Sequence, residues 1–141
     1  MSLGLYLGLP VCGMAQNDQG QNNQGQNDAG INGTYSVHIT GYVPGPSGNL
    51  VPLAAAGRVT HFANGTEIGV ATASNNGQLQ TTTFKGTLTL NSDGVSWTEK
   101  VIQTSPPFFT LHFILYPTPD GNIINEVETD PGTIVSGILT R

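Results

Sequence analysis

Beyond residue 30 the chain never keeps one direction for long. Eight short runs of alternating apolar and polar residues are separated by clusters of Gly, Pro, Asn and Asp. Alternation with a period of two places every second side chain on one face of a strand, and the clusters are turn formers. Tyr35, Val37 and Ile39 share a face opposite Ser36, His38 and Thr40, and Pro44-Gly45-Pro46-Ser47-Gly48-Asn49 ends that run. Residues 53–62 follow, closed by Asn64-Gly65, a type I′ hairpin dipeptide. Residues 67–73 put Ile68 and Val70 on one face and end at Asn75-Asn76-Gly77. In residues 79–90, Phe84, Leu88 and Leu90 share a face with Gly86. Residues 95–103 align Val95, Trp97 and Val101 and stop at Pro106-Pro107. Residues 108–116 form the most apolar run, and residues 123–129 and 133–140 finish the set around Asp130-Pro131-Gly132.

No amphipathic helical stretch interrupts this pattern, and every connection has hairpin length, so sequential neighbours should pair. A meander of eight strands leaves two open edges unless it closes on itself. The expected fold is therefore all-β, an antiparallel up-and-down barrel of about eight strands. A two-sheet sandwich of immunoglobulin type competes with it. That fold needs long crossings between sheets and usually a Trp packed on a disulfide. Here the linkers are tight and only one cysteine is present.

Composition points the same way, with 19 Gly, 9 Pro and few strong helix formers. Charged residues make up 9% of the chain, against about 25% in an average soluble protein. Thr, Ser, Asn and Gln must therefore wet much of the surface. The net charge is −5, and Arg58, Lys85, Lys100 and Arg141 are scattered. With no basic stripe to neutralise phosphates, neither nucleic acid nor an anionic membrane surface is an expected partner. After the first residues no segment reaches the ~18–20 apolar residues that span a bilayer as a helix.

Residues 1–15 form an apolar leader that closes on the small-x-small triplet Gly13-Met14-Ala15. This reads as an export signal, which makes the protein secreted or periplasmic. Such signals usually begin with Lys or Arg, and a start upstream of Met1 would supply them. Two other readings stay open. Leu9-Pro10-Val11-Cys12 resembles a lipoprotein signal that anchors the chain at Cys12, although Val11 stands where a small residue is usual. The segment could also be an ordinary apolar strand. Cleavage after Ala15 would leave no thiol, hence no disulfide, thiolate ligand or cysteine nucleophile. Residues 16–30, QNDQGQNNQGQNDAG, read as a flexible spacer, because no side chain larger than Ala29's methyl is apolar and burial cannot offset the entropy of ordering. One domain, residues 31–141, follows, and it is long enough to bury a core without disulfide or metal.

His38, His61 and His112 stand far apart, with no His-x-His or His-x-x-x-His pair, so neither a metal site nor a cofactor is expected. Glu126 and Glu128 lie two apart, with Asp130 at the turn beyond. Desolvated, such a pair could act as general acid and base; on an outer face it is a solvated strand edge. Glu67 and Arg58 could face inward as a pair that orients a ligand. No Gly-x-Ser-x-Gly elbow, P-loop or Gly-x-Gly-x-x-Gly occurs. Asn32-Gly33-Thr34 and Asn64-Gly65-Thr66 match the N-glycosylation pattern but read as turn residues. What remains is apolar: Tyr35, Phe84, Trp97, Phe109, Leu111 and Phe113. In a small barrel these either fill the lumen or line a pocket for a small apolar ligand. The small residues Ala54, Ala55, Ala56, Gly57, Gly69, Ala71 and Ala73 would leave vacant volume, or would serve a tight bend of the wall.

Gly33-Thr34-Tyr35, Ala56-Gly57-Arg58-Val59-Thr60, Phe84-Lys85-Gly86-Thr87 with Asn91-Ser92-Asp93-Gly94, and residues 129–137 with the terminal Arg141 together resemble a group of small secreted bacterial β-barrel proteins of unsettled function. Members often carry a Cys in the region where this chain has Asp93 and Gly94. More remotely, the arrangement is similar to lipocalin-like and allene-oxide-cyclase-like barrels, which bind or cyclise apolar small molecules. No catalytic residue of either maps onto this chain. The resemblance and the residues together imply a secreted, non-enzymatic barrel that binds a small apolar ligand or a surface partner. A cyclase or isomerase assisted by a Glu or Tyr, and a structural surface component, are the alternatives.

Overall fold

The structure, a computed structural model, describes residues 30–141. The expected leader with Cys12, and the spacer apart from Gly30, lie outside the described residues. Eight strands follow one another: β1 (Gly33–Pro44), β2 (Leu50–His61), β3 (Thr66–Asn75), β4 (Gln78–Leu90), β5 (Trp97–Gln103), β6 (Thr110–Pro117), β7 (Ile123–Glu128) and β8 (Ile134–Thr140). Each pairs antiparallel with the next, and β8 returns to β1 to close the barrel. Closure leaves no strand edge and rules out the sandwich. No helix occurs among the described residues, hence none long and apolar enough to cross a membrane.

Turn chemistry sets the register. Asn76 and Gly77 both have positive φ, 49° and 83°, the backbone of the type I′ turn that suits a two-residue hairpin. At Asn64-Gly65, where that turn was expected, only Gly65 is left-handed, with φ 74°. The Gly65 N–H donates to the Phe62 carbonyl at 3.0 Å, so the connection is a longer one, ending in a left-handed glycine. Asn64 instead accepts from the Thr66 N–H and hydroxyl.

That register decides which face of β3 is inside. Ile68 and Val70, an apolar pair in the sequence, point outward and are 55% and 43% exposed. Glu67, Gly69, Ala71 and Ala73 point inward instead. Space explains the exchange: Phe84 of β4 lies opposite Gly69, and a Cβ there would come within 2.1 Å of the ring. Two bulky residues cannot face each other at that point of the wall. Val95 and Arg58 are likewise exposed, so the expected inward Glu67/Arg58 pair does not exist. Outside, cross-strand hydroxyl pairs such as Thr34–Thr60, Thr72–Thr81 and Thr83–Thr104 provide the uncharged wetting that the composition required.

The most deeply buried part of the core lies toward one end. At the end holding the β2–β3, β4–β5 and β6–β7 turns, Ile31, Tyr35, Val59, Leu88, Leu115, Ile124 and Leu139 are buried and mutually packed. The Tyr35 hydroxyl donates to the Gly121 carbonyl at 3.0 Å. The Arg141 guanidinium lies 5.1 Å from the centre of the Tyr35 ring and donates to the Asn32 carbonyl. First and last strands are thus tied across a solid plug.

Candidate functional site

The other end is not filled. A cavity of about 130 Å³ runs down the lumen from the mouth, where Phe109 is partly exposed. An eight-stranded barrel has an interior just wide enough to be filled by side chains or to hold one small ligand, and here the difference is made by small residues. Ala55, Ala71 and Ala73 line one wall, while Phe84, Leu111 and Val135 line the others. Of the six residues expected to meet a ligand, Phe84, Phe109, Leu111 and Phe113 line this cavity. Tyr35 and Trp97 do not. Tyr35 belongs to the plug, and Trp97 borders a separate recess beside Ile31 and Phe62 at the plugged end.

The lumen also holds what periodicity alone left open, a descending series of carboxyls. Glu128, Glu126 and Glu99 line the cavity, and Glu67 lies below them beside His61; all are buried. Glu126 and Glu128 therefore do not form a solvated outer edge. Glycines make room for two of these acids. Glu67 pairs across the strands with Gly86, and Glu126 with Gly137. A Cβ on Gly86 would stand 2.2 Å from Glu67 Oε1, and one on Gly137 2.3 Å from Glu126 Oε1. Each carboxyl thus lies in the space its partner lacks a side chain to fill. Glu99 is in phase with Trp97 and Val101, and Glu126 with Ile124. That phase was the available signal for their inward direction.

Electrostatics follow from this burial. Loss of water favours the neutral carboxyl and disfavours two like charges side by side. Desolvation and the neighbouring Glu67 hold Glu99 well above the usual carboxylate range, and desolvation with Glu99 and Glu128 does the same for Glu126. Glu67, through burial, and Glu128, through burial and the nearby Asp130, are pushed up to about 7. His61 is lowered by burial, which favours the neutral ring. Its Nδ1 stands 3.1 Å from the Ile31 carbonyl oxygen. A carbonyl can only accept, so Nδ1 carries the proton and Nε2 presents its lone pair. Nε2 lies 3.2 Å from Glu67 Oε2, without the alignment of a hydrogen bond. His61 Nε2, both Glu67 oxygens, Glu126 Oε1 and Glu128 Oε1 have no well-aligned hydrogen-bond partner among the described residues, although the Glu99 carboxyl lies close enough to Glu67 to share a proton with it. Such atoms along one lumen are costly, at ~1–3 kcal/mol each where no partner is found. By contrast His112, at the surface, is bonded through Nδ1 to Asp130 at 2.8 Å, and His38 is exposed.

The chain matches no protein-family model and no curated protein. Among solved structures it is similar to a redesigned β-barrel, with a TM-score of 0.50 and 16% identity over 79% of this chain and 90% of that one. At that identity the likeness concerns the fold alone.

Proposed function

We propose that the protein is an exported barrel that takes a small molecule into its open end, with an apolar body against Ala55, Ala73 and Leu111 and a polar group toward Glu126 and Glu128. The observation that carries this reading is the half-filled lumen: an apolar-walled cavity of about 130 Å³ with unpartnered carboxyl oxygens along it. An apolar cavity of ~150 Å³ accommodates benzene, so the expected guest is about the size of one ring with a single polar substituent. Burial favours the neutral form of these carboxyls, which can both donate and accept; this suits a hydroxyl or carbonyl group and disfavours a carboxylate. The test is native mass spectrometry of the protein from its own compartment or medium, followed by titration with toluene, benzyl alcohol and benzoate. A retained small molecule, or saturable binding of benzyl alcohol in preference to benzoate, supports the reading. Its loss on Ala55→Leu places the guest in the lumen. Empty protein together with no saturable binding overturns it.

One observation favours a second reading, an isomerase or cyclase. Glu128 lines the cavity and is pushed up to about 7, the range in which a carboxyl serves as general acid at neutral pH. A Glu128→Gln variant separates the two: in the enzyme it abolishes turnover while toluene, which needs no polar contact, still binds, and in a binding protein there is no turnover to lose.

A further inference from the structure

Below the guest cavity lies a second constellation. His61 ends β2, Glu67 begins β3 and Glu99 stands on β5, so three separate strands bring their side chains to one point. One ligand atom from each lies within 4.8 Å of the others, and the residues are 2%, 1% and 3% exposed. We propose that His61, Glu67 and Glu99 bind one divalent transition-metal cation, Zn²⁺ by preference, at the bottom of the lumen.

Four features converge on a cation. The Ile31 carbonyl fixes the His61 tautomer with Nε2 unprotonated, the second-neighbour arrangement that orients metal-binding imidazoles. That Nε2 has no hydrogen-bond partner among the described residues, so its lone pair is unused, and Glu67 meets the Glu99 carboxyl, a contact between two acids that a cation would replace. The 3.2 Å between Nε2 and Glu67 Oε2 matches the ~3.3 Å edge of a tetrahedron with bonds of ~2.0 Å. Charge also closes: one neutral imidazole and two carboxylates carry −2, which a divalent ion cancels, and a buried group of charges is tolerated when compensated. The ion displaces any proton held by Glu67 or Glu99.

The donor set selects the metal. One nitrogen and two oxygens suit Zn²⁺, Mn²⁺ or Fe²⁺, whereas Ca²⁺ wants six to eight oxygens. Three protein ligands leave a fourth position of a tetrahedron vacant. Glu99 also lines the cavity, so that position is reached from the lumen and can take water or a guest oxygen. Spacing along the chain hides the site because no two ligands share a strand. The site holds whether or not the mouth takes a guest.

The test uses the full chain without a polyhistidine tag, stripped with EDTA. Calorimetric titration with Zn²⁺ should show one equivalent bound with proton release, and Co²⁺ should give visible d–d absorption. His61→Gln and Glu99→Gln should each weaken binding by at least ~100-fold, while Cys12→Ser and His112→Gln leave it unchanged. Circular dichroism shows whether the variants fold. If they do not, ¹⁵N imidazole shifts of the wild type decide, with Zn²⁺ moving His61 Nε2 and leaving His38 and His112 in place. No one-to-one binding, or binding that depends on Cys12 or His112, overturns the proposal. It would leave Glu67 and Glu99 as two carboxyls sharing a proton.

Discussion

Ala55→Leu should make the protein more stable. Ala55 lines the cavity and faces Ala73 across the strands, so the longer side chain projects into vacant space. Leucine adds three carbons, worth ~0.8 kcal/mol each on full burial, or ~2.4 kcal/mol together. Ala55 is half-buried, and a leucine tip left partly in solvent gains roughly half of that. An independent ceiling comes from the cavity itself: at ~24 cal/mol per Å³, a void of about 130 Å³ represents ~3 kcal/mol. The expected gain is therefore ~1–2.4 kcal/mol, which in a domain of this size raises Tm by ~5–15 °C. Urea denaturation should show a higher midpoint at unchanged slope, and guest binding should be lost in the same variant. Were the lumen packed, the extra carbons would be forced into occupied space at a cost of ~1–3 kcal/mol. A lower midpoint at unchanged slope would therefore refute the vacancy.

Other perturbations test other parts. Gly137→Ala puts a Cβ 2.3 Å from Glu126 Oε1 and 2.8 Å from the His38 carbonyl; it should cost ~1–3 kcal/mol, and Glu126→Ala in the same chain should recover part of that in a double-mutant cycle. Raised carboxyl pKa values mean that the folded state holds protons the unfolded chain has already released, so stability must fall as pH rises. For Glu128 the window runs from about 4.5 to about 7, and Glu126, raised well above the usual carboxylate range, acts in the same sense. Thermal melts should accordingly lose Tm between pH 4.5 and 7, with lowered His61 acting in the opposite sense, and Glu126→Gln with Glu128→Gln should flatten the slope. Tyr35→Phe removes a hydrogen bond to Gly121 and should cost ~1 kcal/mol without altering guest affinity, since Tyr35 lies in the plug.

Strand positions and closure were legible because period-two alternation and turn residues act locally. The seven connections are hairpins, as the short Gly, Pro, Asn and Asp clusters imply, and the β1–β8 pairing follows from having no better use for two edges. Which face of β3 looks inward was not legible. It depends on register with Phe84 of β4, a partner chosen across a turn, and hydrophobicity alone points the wrong way at Ile68 and Val70. The inward direction of Glu99 and Glu126 was legible from their phase with Trp97, Val101 and Ile124, but the room made for the acids was not. Glu67 and Glu126 are admitted to the lumen by Gly86 and Gly137, residues on neighbouring strands, and no pattern within one strand reveals such a partnership. Four of the six expected apolar contacts line one cavity because they lie on β4 and β6 and in the loop before β6. Tyr35 and Trp97 have the same chemistry but stand one barrel layer too far toward the plug.

Methyl NMR under xenon pressure tests the half-filled lumen most directly, because xenon enters preformed apolar voids of this size. Saturable shifts should appear at the methyls of Ala55, Ala71, Ala73 and Val135, which line the cavity. Leu115 and Ile124, wholly buried in the plug, should stay still. Uniform small shifts across both ends, or none at the alanines, would contradict a barrel that is solid at one end and hollow at the other.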